Sequence, residues 1–165
     1  MAGGAEAGRS TTAARGDVVV FVIGMRINKL RAVRSWLPVL MAMPRMLKEL
    51  SQDPAGGLLG FRVQLGGPRD FSVVQYWESQ EALFAYASAP DKEHRPAWSA
   101  YNRRVRKSGP DVGVWHETYA VPAGRYESVY VNMPRHGLGA AYGTEPVGRR
   151  GESAAQRMAP HPAEG

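Results

Sequence analysis

The sequence predicts an α+β fold in which one antiparallel sheet carries its helices on a single face. Three observations carry that expectation. Runs of β-branched and aromatic residues stand early and late in the chain, at Asp17 to Asn28 and Asp111 to Val121. Two segments with apolar residues at helical spacing each follow a strand. Between them lies a pair of short strands joined by a Gly-Pro turn. The order is β-α-β-β-α-β, the split βαβ pattern of a ferredoxin-like sandwich, with an extra C-terminal strand.

Each element has its own justification. Residues 1–16 are small and polar, and the expectation is a disordered N-terminal arm. The run DVVVFVIGMRIN is apolar at almost every position, as a strand covered on both faces would be. Next, KLRAVRSWLPVLMAMPRMLKELSQD carries Leu30, Val33, Leu37, Leu40, Leu47 and Leu50 at helix-like spacings. Pro38 and Pro44 lack the N–H that a helix interior uses, so a helix in two pieces is expected. Residues 58–65 and 71–77 read as a hairpin, with Leu59, Phe61, Val63 and Leu65 on one face and Arg62 and Gln64 on the other. A helix capped by Ser79 follows, then a break at Ala89-Pro90 and a second helix with Pro96 in its first turn. Asp111 to Val121 is a strand, VPAG a turn, and RYESVYVNM a last short strand. The folded domain is expected to span 17–136, and 137–165, which has no sustained apolar period, to be a flexible tail.

Composition excludes several function classes. With no cysteine there is no thiolate nucleophile, zinc–thiolate site or disulfide, which fits a reducing cytoplasm. The net charge of +6 invites a nucleic-acid reading. Its one dense cluster, Arg103, Arg104, Arg106 and Lys107, precedes Gly109-Pro110, where cations complement a helix end. A phosphate-binding patch is the alternative, but no nucleic-acid motif accompanies it, and no nucleic-acid partner is expected. The apolar passage WLPVLMAMPRML is too short and interrupted to span a membrane. The histidines, His94, His116, His136 and His161, form no HxxxH pair, so no metal site is expected. GLGAAYG has its third glycine one position late for a dinucleotide loop, and there is no Walker loop and no GxSxG.

What remains is a set of polar and aromatic side chains on elements built for burial. Trp98 and Tyr101 share a helix face, and with His94 and Asn102 they are either a core stripe or the wall of a pocket against the sheet. A histidine there could move a proton near neutral pH or ligate a haem iron. His116 and Glu117 are adjacent on a strand and therefore point to opposite faces. His116 sides with Val112 and Val114, Glu117 with Trp115 and Tyr119, so the pair is not a dyad. A buried Glu117 would need a partner, for which Arg26 and Arg62 are candidates. Trp77 and Trp115 sit on strands, as core or as pocket walls. A sheet this small has a second face to cover, and a homodimer pressing two sheets together would cover it.

The segments FVIGMRINKLRAVRSWLPVLMAMPRMLKEL, FSVVQYWES, HRPAWSAYN and VGVWHETYAVPAGRYESVYVNMP resemble a family of monooxygenases. That family was formerly a domain of unknown function and is named from a fungal secondary-metabolite enzyme. It is similar to the antibiotic-biosynthesis monooxygenases of the dimeric α/β-barrel superfamily. The resemblance implies a homodimeric barrel and a pocket that takes a small apolar, electron-rich substrate and O2 with no cofactor. It implies His94 or His116 as catalytic base, with Trp77, Tyr101 and Asn102 positioning the substrate; on the reading of the residues themselves, Trp98 and Trp115 join the substrate-binding set, and Glu117, Arg62 and Arg26 have structural polar roles. Two alternatives accompany it: a haem-binding enzyme, haem-degrading or aldoxime-dehydratase-like, and a non-catalytic dimeric module that binds a small ligand.

Overall fold

In the computed structural model, residues 4–90 and 94–159 are described, those at 94, 97, 104, 105 and 108 by their backbone only. The elements are β1 (Arg9–Thr12), β2 (Val18–Ile27), α1 (Val33–Gln52), β3 (Leu58–Leu65), β4 (Asp70–Trp77), α2 (Gln80–Ser88) and α3 (His94–Ser108). β5 (Val112–Val121), β6 (Tyr130–Val131), α4 (Leu138–Tyr142), β7 (Thr144–Pro146) and α5 (Ala154–Arg157) follow.

The main sheet has the order β3-β4-β2-β5 with every pair antiparallel, which is the ferredoxin-like arrangement the element order predicts. Residues paired across an antiparallel ladder share a face. The pairs Ile23 with Val73 and His116, and Met25 with Phe71 and Val114, therefore define one face. The three longer helices pack there. Val19, Leu50, Trp77 and Leu83 form one core cluster, and Met25, Ile27 and Val112 form a second, against which Trp36, Leu40, Phe71 and Tyr101 pack. No helix among the described residues is long and apolar enough to cross a membrane.

Two expectations about α1 and its neighbours divide. Ser79 does cap α2, accepting from the Ala82 N–H at 3.1 Å. The prolines, however, do not split α1, which runs for 20 residues with Pro38 and Pro44 inside it. Each proline forfeits one backbone bond, at a cost of about 3 kcal/mol in a helix interior. Burial of Met46, Leu47 and Leu50 offsets it, at roughly 1.5–3 kcal/mol for each fully buried side chain.

The two terminal expectations are corrected where the chain is described. β1 lies inside the segment read as a disordered arm, and it is the central strand of a second sheet, β6-β1-β7. Thr11, Thr12 and Ala14 are buried. Residues 137–159, read as flexible tail, hold α4, β7 and α5. The extra C-terminal strand shrinks to Tyr130–Val131 and pairs with β1, outside the main sheet. None of these pieces is long enough to show a period. They are held by charge: Arg15 and Arg150 both donate to Glu145, at 2.7 and 2.8 Å, and Arg150 also donates to the Ala14 carbonyl. Arg157, buried, donates to Glu127 at 2.9 Å and to the carbonyls of Gly151 and Glu152.

Candidate functional site

Between α1, α3 and the helix-side face of the sheet lies a cavity of about 490 Å³. That is within the range of roughly 300–1,000 Å³ typical of small-molecule sites. The sheet supplies Ile23, Met25, Val63, Phe71, Val73 and Val114 as its floor. One wall is α1, from Pro38 to Leu47; the other is α3, through Pro96, Trp98, Ala100, Tyr101 and Arg103. The lining is almost wholly apolar. Among its described residues those with polar side chains are Ser72, Tyr101, Arg45 and Arg103.

Local rules explain the walls. On α3, Trp98 and Tyr101 are three residues apart and so lie on one face; their rings stack at 5.4 Å between centroids. The Tyr101 hydroxyl donates to the Val112 carbonyl at 3.3 Å, which ties α3 to the start of β5. Asp111, just before β5, is bound by Lys29 at 2.7 Å and by the Ser35 hydroxyl at 3.1 Å. The Lys29 hydrogen bond is the main cause that holds the Asp111 carboxyl below the usual range. These contacts seat the N-terminal end of α1 against the sheet and so set one end of the cavity.

Of the residues singled out from sequence, Trp98 and Tyr101 meet in the cavity. Asn102, one residue further round the helix, is not in its lining. Trp77 is fully buried in the other core cluster, its indole N–H donating to Gln75 at 3.0 Å. Trp115 lies on the opposite face of the sheet, against Gly24. The His94 side chain lies outside the described residues. His116 is on the helix-side face, paired with Ile23 and with its ring 5.6 Å from that of Phe21. It is two residues along β5 from Val114, which lines the cavity, and is itself exposed.

Glu117 points the other way, as the strand period requires. Its expected arginine partner is a correction. Glu117 is exposed and accepts from the Tyr119 hydroxyl at 2.6 Å. That hydrogen bond raises the Tyr119 hydroxyl above its ordinary value. Arg26 instead binds Asp70 at 2.6 Å, and Arg62 donates to His136 at 2.9 Å. The strand-period reading holds because alternation is a property of the backbone; the ion pair fails because β5 is an edge strand and Glu117 has solvent.

Sequence reasoning missed the α1 wall. Pro38, Ala42 and Met43 interleave with core positions on the same helix, so their facing is not separable by period alone. The one available sign was Pro38 and Pro44 themselves, since proline within a helix leaves carbonyls and space beside it. Among the described lining residues of the cavity there is no histidine; the His94 side chain, two residues before the lining Pro96 on α3, lies outside the described residues.

Against known proteins, the chain is 28% identical over 127 residues to a monooxygenase, af470, of Aspergillus fumigatus, covering 72% of this chain and 44% of the relative. Among solved structures it superposes on an aldoxime dehydratase bound to butyraldoxime with a TM-score of 0.65 at 17% identity, over 87% of this chain and 41% of that one. A cofactor-independent oxygenase from Streptomyces nogalater gives a TM-score of 0.44 at 13% identity, over 62% of this chain and 91% of that one. At 17% identity the likeness to the aldoxime dehydratase concerns the fold alone. The chain spans less than half the length of the Aspergillus relative and of the aldoxime dehydratase. The Monooxygenase af470-like family matches residues 18–138, from the first core strand to the first residue of α4, and the chain belongs to that family.

Proposed function

We propose that this chain oxygenates an apolar, electron-rich small molecule of the secondary-metabolite type with O2, without flavin, haem or metal. The observation that carries the reading is the apolar cavity walled by α1 and α3, in a chain of the af470-like family. The chemistry balances without an outside reductant. A base removes a proton from an activated CH2 of the substrate, and the carbanion passes one electron to O2. The radical pair joins as a C–O bond. The peroxide then loses water to leave a carbonyl, so CH2 and O2 become C=O and H2O. The apolar lining suits a substrate that supplies its own reducing power, because water is kept from the peroxide intermediate.

His116 is the base in this reading. It shares the helix-side face with Val114 and Ile23, both in the cavity floor, and a positioned base is worth about 10²–10⁴ in rate. The working unit is a homodimer. The support for this is the row of Trp115 and Tyr119, two large aromatics exposed on the face of the sheet away from the helices. Absence of cysteine suits a cytoplasmic setting.

The test is oxygen uptake with the purified chain, free of added cofactor and in the presence of a chelator, across anthrones, polycyclic phenols and other enolisable substrates. Uptake that depends on substrate and enzyme supports the reading. Uptake at blank level across the panel, or only with added hemin or flavin, overturns it.

A further inference from the structure

We infer that the cavity takes an apolar ligand that carries a negative charge at one end, and that Arg45 and Arg103 receive that charge at the cavity rim. The inference rests on the cavity being the ligand site, as the proposed function has it, and adds the class of ligand. Among the described lining residues the charged side chains are these two arginines, with no Asp, Glu or Lys beside them. They come from different helices, Arg45 from α1 and Arg103 from α3, yet border one cavity. Both are exposed at its edge. Neither is hydrogen-bonded or ion-paired with another side chain among the described residues, whereas Arg15, Arg26, Arg135, Arg150 and Arg157 each hold a carboxylate.

The physical consequence is an orientation. A neutral apolar molecule gains from the lining wherever it lies, but an anion pays heavily to leave water. Such a ligand therefore enters with its apolar body first and keeps its charge at the rim, where two permanent cations beside a low-dielectric wall attract it more strongly than in bulk water. The guanidinium fork matches a carboxylate in particular. With the charge fixed on the helix side, the far end of the molecule is presented to the sheet, the side on which His116 stands. The same two cations disfavour cationic amphiphiles of equal size.

Two fluorescent probes with one skeleton separate the contributions: anilinonaphthalene sulfonate, which is anionic, and N-phenylnaphthylamine, which is neutral. With the whole chain, both should bind, the anion roughly tenfold tighter at low salt. The preference should shrink as salt rises. The double substitution Arg45→Gln with Arg103→Gln should abolish the preference and leave the neutral probe's affinity within about twofold, which also shows that the variant is folded. Equal affinity of the two probes in the unsubstituted chain, or a preference that survives the double substitution, overturns the inference while leaving the cavity reading intact. If neither probe binds, or if Ala42→Trp in the cavity wall leaves the neutral probe's binding unchanged, the cavity reading falls and this inference with it.

Discussion

The indole of Trp115 covers Gly24, its partner across the β2–β5 ladder, so closely that a Cβ at position 24 would stand 2.6 Å from three of its ring atoms. No side chain fits there while the indole stays. Gly24→Ala should therefore push Trp115 off the sheet. Because the indole is half exposed, it can yield, and the expected cost is about 1 kcal/mol, at the low end for overpacking. A double-mutant cycle with Trp115→Ala measures the relationship directly: coupling of at least about 0.5 kcal/mol in thermal or urea unfolding is expected. Additive effects would mean that the two residues do not touch in solution.

His116 and Glu117 should respond differently because they face different compartments. His116→Ala is expected to lower substrate-dependent oxygen uptake by about a hundredfold or more. Glu117→Gln should stay within about twofold, since Glu117 binds Tyr119 on the far face. It should instead return the Tyr119 hydroxyl toward its ordinary titration range, readable by ultraviolet titration, because the Glu117 carboxylate is what raises it. Equal loss of activity in both variants would sink the assignment of His116.

Acid should loosen the terminal sheet before the main one. The hydrogen bond from Arg15, then that from Arg150, hold the Glu145 carboxyl below the usual glutamate range, against the opposing effect of burial. A folded-state value below the unfolded one means that stabilisation is complete above the unfolded value of about 4.3 and is lost as pH falls through the folded one. Hydrogen exchange at the β1 amides should thus rise below about pH 4 while that of β2 lags. Glu145→Gln should show the raised β1 exchange already at pH 7, with a loss of roughly 2 kcal/mol from the charged hydrogen bonds. A variant whose acid profile parallels the parent would refute the clamp.

Filling the cavity is the most direct check on where ligand goes. Ala42 lines it from α1, and Ala42→Trp should reduce uptake of apolar probes and substrate-dependent oxygen consumption by about tenfold or more. The far-ultraviolet circular dichroism should be unchanged. A filled cavity with undiminished turnover would move the site elsewhere.

How far the sequence foretold this depended on whether a feature has a period. β2, β4 and β5 alternate or run apolar over eight to ten residues, long enough for their faces to be read, and the opposite facing of His116 and Glu117 followed from that alone. Trp98 and Tyr101 came from helical spacing by the same logic. Trp77 and Trp115 did not, because a single aromatic on a strand says nothing about which of several packed compartments it enters. The β1, β6 and β7 strands were illegible for a different reason. They have four, two and three residues, and they are held by contacts distant in sequence: Arg15 to Glu145, Arg150 to the Ala14 carbonyl, and Arg157 to Glu127. Pro38 and Pro44 misled because tertiary burial overrode their local cost.

The clamp on Glu145 also bears on the order of events during synthesis. Arg15 and Glu145 stand 130 positions apart, and β1 sits between two strands that are both made late. While the βαββαβ core can assemble as it emerges, β1 has leaves of the ribosome's output still to wait for before it has a neighbour on either side. β1, made before the core beside it, is thus among the last of these strands to find its place, and bringing Arg15 to Glu145 costs the closure of a loop of 130 positions. In refolding from denaturant, the terminal sheet should be the slow, chain-length-limited step, and nascent chains halted before Thr144 should expose β1 to proteolysis.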